Sequence, residues 1–362
     1  IKTYAITMKN IYTLLATLLV AVCSNAQIDN PITRVRQMTP VAQTFQQLDG
    51  FSTLQLDAKF CKVSIQQAPD SMQCNSVSGL IEAMDPVEGF DIVVEKQNQA
   101  VVMSIIIPQD CKVAFNGEFV IYLKSALSVD VTTAAGTVVM EGVSGCNVKC
   151  KSEFGKIRID KSSGKFDAYT RGGTITADRS KGDFNLVCGA SSVSANDCEG
   201  TLYLESGEGT LTAKHIKGDV RTTTISGKQS IENVEGNLDL NSKSGAIRMQ
   251  YITAGLIKAE TVRGDISFLN SIKGQLNIKT VSGTITSAQG IILTDSSNFE
   301  SETGRIKMKF ANKKDELSFD VSSESRDCVL TVKGTSKKKK LQVGSGKIVV
   351  TSHSKSGDQI FS

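Results

Sequence analysis

Residues 218–236 read GDVRTTTISGKQSIENVEG, and the three glycines, Gly218, Gly227 and Gly236, stand nine residues apart. Between them apolar residues are few and Thr, Ser and Lys abound. The spacing continues in both directions. Gly164, Gly182, Gly200, Gly218, Gly236, Gly255 and Gly274 follow one another at steps of 18, 18, 18, 18, 19 and 19 residues. Halfway between them stand Gly173, Gly209, Gly227, Gly245, Gly264 and Gly283, with Ser191 out of step. Leu127 to Gly145 fits the same frame around Gly136, and the turn through Gly155 carries one extra residue. A fixed period of this length marks a solenoid of stacked turns.

The apolar residues keep the same period. Two places past each opening glycine come Phe166, Phe184, Leu202, Val220, Leu238, Ile257 and Leu276, with Val129 in the equivalent place upstream. Two places past the middle glycine come Val138, Ile157, Ile175, Leu211, Ile247, Ile266 and Ile285. A corner slot holds Val143, Cys198, Ile216, Val234 and Ile252. Alternation along a strand puts these on one face and the intervening polar residues on the other. The glycines are expected to mark sharp corners, where positive φ is free of steric penalty for them. Thr222 and Gln229 fill inward slots that hold Leu204 and Leu211 one turn earlier. A buried amide without partners costs several kcal/mol, so Gln229 is expected to be paired or displaced.

The expected fold is therefore all-β: a single-stranded parallel β-helix or solenoid with about 18 residues per turn over residues 127–310, capped by irregular β segments. A left-handed hexapeptide helix needs an aliphatic residue every six positions, which these spacings do not supply. A calcium β-roll needs GGxGxD loops, and within residues 127–310 Asp follows the glycine only at Gly182, Gly218 and Gly264. Residues 47–126 contain strand-like runs such as FSTLQLDAKFCKVSIQQ and VVMSIII without the period and read as an N-terminal cap or as irregular first turns. Residues 311–362, with LSFDV, CVLTV and KIVV, read as a C-terminal β cap and tail.

The N-terminus reads as an export signal over residues 8–26, preceded by upstream translated residues 1–7. Met8-Lys9 opens it, Ile11 to Val22 is apolar, and Ser24-Asn25-Ala26 places a cut between Ala26 and Gln27. The apolar run is too short to span a bilayer, which takes about 20 residues. Cys23 follows Val20-Ala21-Val22, a poor context for lipoprotein processing, so membrane association is expected only if Cys23 is lipidated. Residues 27–46 read as a tether. Export permits disulfides among the remaining eight cysteines, but no spacing dictates a pair, and Cys146 and Cys150 lack a CxxC pattern. A formal net charge of +4 with interspersed signs gives no field for nucleic acid. The one dense basic run, Lys337 to Lys340, reads as a solvated loop between two strands, with attraction of anionic glycan or lipid as the alternative reading.

Nothing in the sequence assembles a catalytic centre, a metal site or a cofactor site. Of the two histidines, His215 precedes the inward Ile216 and faces solvent, and His353 lies near the C-terminus. Neither has an evident triad companion. GSGK at Gly344 to Lys347 lacks the first glycine and the closing Ser/Thr of a phosphate loop. Polysaccharide lyases also use parallel β-helices, but they build an acidic cleft from protruding loops, for which these turns have no spare residues. Asp130, Asp167 and Asp239 share an outward column that Asn185, Tyr203, Arg221 and Lys258 interrupt. One and three places past the middle glycine stand Thr174/Thr176, Ser192/Ser194, Thr210/Thr212 and Thr284/Thr286. Stacked at about 4.8 Å, these hydroxyls form a candidate flat binding face for a glycan. Lys156, Arg158, Lys228 and Arg248 break the array and argue against ice.

Turns such as GDVRTTTISG, GLIKAETVRGDISFL and GQLNIKTVSGTIT resemble the bacterial "putative adhesin" domains of unknown function, whose repeat is G-[DN]-[VIL]-x-[VIL]-x-T-x-S-G-x-[IV]. The resemblance covers about Leu127 to Phe310, with departures at Ser191 and Gln229. It implies an exported, non-enzymatic cell-envelope protein in the periplasm, on the outer membrane or outside the cell. The expected partners are a glycan or a host or matrix protein, and separately a bare solenoid end could pair with another chain. The resemblance transfers no catalytic residue. A periplasmic stress-linked scaffold is the alternative reading, and a carbohydrate-active β-helix enzyme stands behind both.

Overall fold

The computed structural model describes residues 38–84 and 87–362. The signal-peptide reading, the Ala26/Gln27 cut, Cys23 and residues 27–37 of the tether lie outside the described residues. Residues 39–46, also read as tether, are ordered instead in strand β1 (Thr39–Gln47). The described residues form no helix; they build a β-solenoid of about 9 turns with roughly 19 residues per turn.

Each turn contributes one strand to each of two parallel ladders. In the first, Phe166, Phe184, Leu202, Val220, Leu238, Ile257 and Leu276 lie on successive rungs. In the second, Ile157, Ile175, Val193, Leu211, Gln229, Ile247, Ile266 and Ile285 do. Every apolar residue that the period places inward is buried. Because like stacks on like, the Phe166 and Phe184 rings lie nearly parallel, 5.3 Å apart. A single turn would expose this face; stacking covers it continuously.

The glycines divide into two classes, and only one follows the expected reason. Opening glycines from Gly164 to Gly236 do adopt positive φ, as at Gly182 with φ +129°, whereas Gly255 does not. The middle glycines do not adopt positive φ. There the backbone of one coil rests on the backbone of the last: a Cβ on Gly245 would lie 1.8 Å from the Gly227 carbonyl oxygen. The left-handed corner is elsewhere, at Lys161, Arg179, Asp197, His215, Asn233 and Tyr251, with φ between 49° and 56°. Sequence inspection passes over these residues because none is glycine.

Three residues before most middle glycines a buried hydroxyl completes the corner; before Gly227 the equivalent Thr224 instead donates to Ser242 and accepts from Gln229. Thr170, Ser206, Ser242, Thr261 and Thr280 accept hydrogen bonds from the N–H of Gly173, Gly209, Gly245, Gly264 and Gly283 at 2.8–3.0 Å. Some also donate to the coil beneath, as Ser206 does to Ser191 O at 2.9 Å. Where Ser191 replaces glycine, Cys188 replaces the hydroxyl, with its Sγ 3.1 Å from both the Ser191 N–H and the Gly173 carbonyl.

At both ends the chain order departs from the stacking order. The N-terminal strands are β2 (Thr53–Asp57), β3 (Lys62–Gln67), β4 (Ser76–Ala83), β5 (Asp91–Gln97), β6 (Ala100–Ile106) and β7 (Phe115–Leu123). The β2–β3 coil lies between the β6–β7 coil and the coil that starts at Ser128. β4 and β1 then extend the β7 side antiparallel, and β5 extends β6. At the other end, Ile348–Ser354 and Gln359–Phe361 fill the coil between Ser297–Ser301/Ile306–Met308 and Leu317–Ser323/Leu330–Val332.

The stacked corner makes a direct prediction. Gly245→Ala is expected to destabilise the fold by about 3 kcal/mol through overpacking. Gly142→Asn, at φ +67° with open space around it, should shift stability by less than about 1 kcal/mol, because Asn tolerates that conformation. Urea midpoints of the two variants check the difference.

Candidate binding face

The second ladder carries the expected hydroxyls on its outer side. Thr176, Ser194 and Thr212 occupy consecutive rungs, with Thr174, Ser192 and Thr210 two places before them. Ser230, which the sequence reading omitted, continues the inner column; Arg248 breaks it, and Ser267 and Thr286 resume it. Thr284 and Thr286 therefore belong to the same face but stand apart from the main cluster. Thr284 is also engaged, its hydroxyl 2.8 Å from Asp265. Ser192 and Thr210 are exposed and the other members of the set are half-buried between neighbouring rungs.

Beside the hydroxyls runs a column of Asp178, Asn196, Lys214 and Glu232. Asn196 ties it to the hydroxyls, donating to Asp178 at 2.9 Å and to Ser194 at 3.2 Å. The left-handed corner forms the border, where His215 Nδ1 lies 3.0 Å from Asp197. The result is a flat grid of fixed donors and acceptors.

The outer side of the first ladder holds two shallow depressions. One of about 300 Å³ lies over Gln55, Asp130, Lys149 and Asp167. Lys149 is a further interruption of the aspartate column. The other, of about 350 Å³, is lined by Gln275, Asn277, Asn298 and Thr351, with Leu256 and Val349. Amides beside exposed aliphatic side chains suit a polyol as well as the hydroxyl grid does. The sequence reading missed this patch because Thr351 reaches it from the last coil, on the rung next to Asn298.

His353, read as lacking companions, has two: Ser322 Oγ lies 3.1 Å from Nδ1 and Glu324 lies 3.4 Å from Nε2. All three are on the outer surface, with His353 48% and Glu324 61% exposed at the side chain. Neither described depression includes them. Acyl-transfer catalysis needs a water-excluding site with oxyanion donors, which this open strand surface does not provide. Among the described residues no group of three His, Cys, Asp or Glu side chains is placed to hold a metal.

Residues 192–359 match the family described as Toastrack DUF4097. Among solved structures the chain is similar to a "putative adhesin" of Parabacteroides merdae ATCC 43184, at 13% identity over 74% of this chain and 95% of that one, with a TM-score of 0.30. It is also similar to a "putative cell adhesion protein" of Clostridium sporogenes ATCC 15579, at 12% identity over 58% and 99% of the two chains and a TM-score of 0.28. A "putative lipid binding protein" of Parabacteroides distasonis ATCC 8503 follows, at 11% identity over 74% and 95%, with a TM-score of 0.28. No curated protein matches the chain.

The matched segment buries two glutamines, Gln229 and Gln359, and both are satisfied in the same way. Gln229 accepts from Thr222 at 2.6 Å and donates to Thr224 at 3.0 Å and to Asn241 O at 2.6 Å. Gln359 repeats the spacing with Ser352, Ser354 and Ser322 O, at 2.6, 2.8 and 2.7 Å. Gln229 is thus paired, in register, without displacement of the chain. Before this segment, Asp160 is a buried carboxylate gripped by Arg179 through contacts of 2.7–3.0 Å and by Arg158 at 3.1 Å. Burial alone would raise its pKa, but the hydrogen bonds and charges of the two guanidiniums outweigh that and hold it below the usual carboxylate range. The eight cysteines among the described residues are free thiols. Burial pushes Cys61, Cys146 and Cys198 up to about 11, which keeps them protonated and unreactive.

Asp160→Asn is expected to cost about 2 kcal/mol at pH 7, the scale of charge-assisted hydrogen bonds. Because the folded pKa is depressed, the carboxylate's contribution is full above its unfolded pKa of about 4. It disappears as pH falls through the folded value. Thermal melts from pH 7 to pH 2 should therefore show a shallower acid limb for the variant than for the parent. Gln229→Leu should cost about 2 kcal/mol by stranding Thr222 and the Asn241 carbonyl. Adding Thr222→Val should recover part of that loss, as seen in denaturant midpoints.

Proposed function

We propose that this chain is an exported, non-enzymatic protein of the cell envelope that presents its flat solenoid face to a glycan, in the manner of an adhesin. The observation that carries this reading is the run of hydroxyls on consecutive rungs from Thr176 through Ser230, bordered by the amide of Asn196. These groups are held by the backbone ladders, so little side-chain ordering opposes binding. The segment that matches the Toastrack family includes most of this face, from Ser192 onward. The export signal read at residues 8–26 supplies the location.

A scaffold role is the second reading, and one observation favours it. Many outward charges are already paired with the adjacent coil, as in Lys181–Glu199 at 2.8 Å and Lys279–Glu300 at 3.2 Å. Such a surface stiffens the rod without calling for a ligand.

Two measurements separate the readings. Protease added to intact native cells should cleave this protein while a periplasmic control survives. On a polysaccharide panel, Ser194→Lys with Thr212→Lys should weaken binding at least about tenfold, or about 1.4 kcal/mol, with the melting temperature unchanged. Protection until the outer membrane is opened, together with no polysaccharide bound, would replace the adhesin reading with the scaffold.

A further inference from the structure

A solenoid covers its sides by stacking and leaves the problem at its ends. Among the described residues, β1 pairs only with β4, and β5 only with β6. At the opposite end Thr335–Lys337 pairs only with Leu330–Val332, and Lys340–Val343 only with Leu317–Ser323. Among the described residues, each of these four terminal strands keeps one edge of N–H and C=O groups open for another strand.

The two ends carry opposite charge. Residues 38–126 contain ten Asp and Glu against five Lys, a net of −5. Residues 311–362 contain ten Lys and Arg against six Asp and Glu, a net of +4. The topology also aligns the charges. Antiparallel pairing sets Asp91 beside Ile106, past the Ser104–Asp57 rung, at the hydroxyl corner of the coil. At the far end Lys340 faces Ser322, and the Ser323 N–H donates to Lys339 O, at that same corner. Glu88 and Asp91 at one end and Lys337, Lys338, Lys339 and Lys340 at the other are all exposed.

Strand direction is compatible with contact. β5 and Lys340–Val343 both run against the coils, so end-to-end stacking in one polarity would make them parallel neighbours. β1 runs with the coils and Thr335–Lys337 against them, which gives an antiparallel pair. Both modes complete a ladder. Each end is also firm, because the chain interleaves its last coil with the one before it.

We propose that a second copy of this chain stacks head to tail on the first, the β1/β5 edge of one copy, acidic at Glu88 and Asp91, on the lysine-rich edge of the other. The contact is heterologous and does not close on itself, so it extends into open filaments. It stands independently of glycan binding, which is read by a different assay.

Sedimentation velocity of the full chain tests the idea. At low salt and rising concentration the mass should grow beyond the monomer, and salt should return it to the monomer as it screens the ends. The triple variant Lys337→Glu, Lys338→Glu, Lys339→Glu should stay monomeric, and so should Glu88→Lys with Asp91→Lys. An equal mixture of the two should associate again, since each then offers the complementary end. If a variant melts below the parent, the Gln versions replace it and should show the same loss. Two results would overturn the proposal: a parent that is monomeric throughout, or a lysine variant that associates as strongly as the parent or more strongly. The latter would mean that the lysines hold the edges apart.

Discussion

The fold depends on one close approach, the backbone of each coil lying directly on the backbone of the coil below at the glycine corner. No side chain fits there; a Cβ on Gly173, Gly227 or Gly283 would meet a carbonyl at 1.7–1.8 Å. Once the corner is closed in this way, its N–H groups have no access to water. The hydroxyl three residues earlier serves as their acceptor, and for that reason Ser or Thr recurs in the buried corner while Val and Ile fill the slots around it. The same logic explains Cys188, whose sulfur accepts and donates in the hydroxyl's place.

That corner also limits what the surface can do. Coils of this length have no residues to spare for loops, so the outside is an array of strand side chains on a fixed pitch. Polar chemistry therefore appears as columns: hydroxyls from Thr176 to Ser230, a mixed charged and polar column from Asp130 to Asp239, and a left-handed border running through Arg179 and His215. Columns of this kind recognise an extended, repetitive partner better than a compact one, and they give a reacting atom no enclosed place to sit. The Ser322–His353–Glu324 contact makes the point, because three catalytic residue types meet there on an open strand surface without forming a cleft.

Buried polar groups in the interior are tolerated where the stack completes their bonding. Gln229 and Gln359 each spend their amide on two hydroxyls of their own coil and one carbonyl of a neighbouring coil. Asp160 is held by an arginine one coil further on. These sites tie particular coils to each other in a core that is otherwise nearly repetitive, and a register slip would break them.

The sequence by itself determined the period, the inward columns from Val129 to Leu276 and Val138 to Ile285, and the places where a side chain is forbidden. All of these repeat locally, so one turn predicts the next. It determined the hydroxyl face in outline but left out Ser230 and Ser267, which are the same chemistry one and three coils beyond Thr212. Only the tertiary structure decided the rest. The left-handed corner at Lys161, Arg179 and His215 has no residue signature. The Asp160–Arg179 grip joins neighbouring turns through side chains that the period treats as outward. The end coils are interleaved, so that Thr351 stands beside Asn298, 53 residues earlier in the chain. Pairing across such a separation is set by which open edge the returning strand can complete, and that is a property of the assembled stack, which no local spacing records.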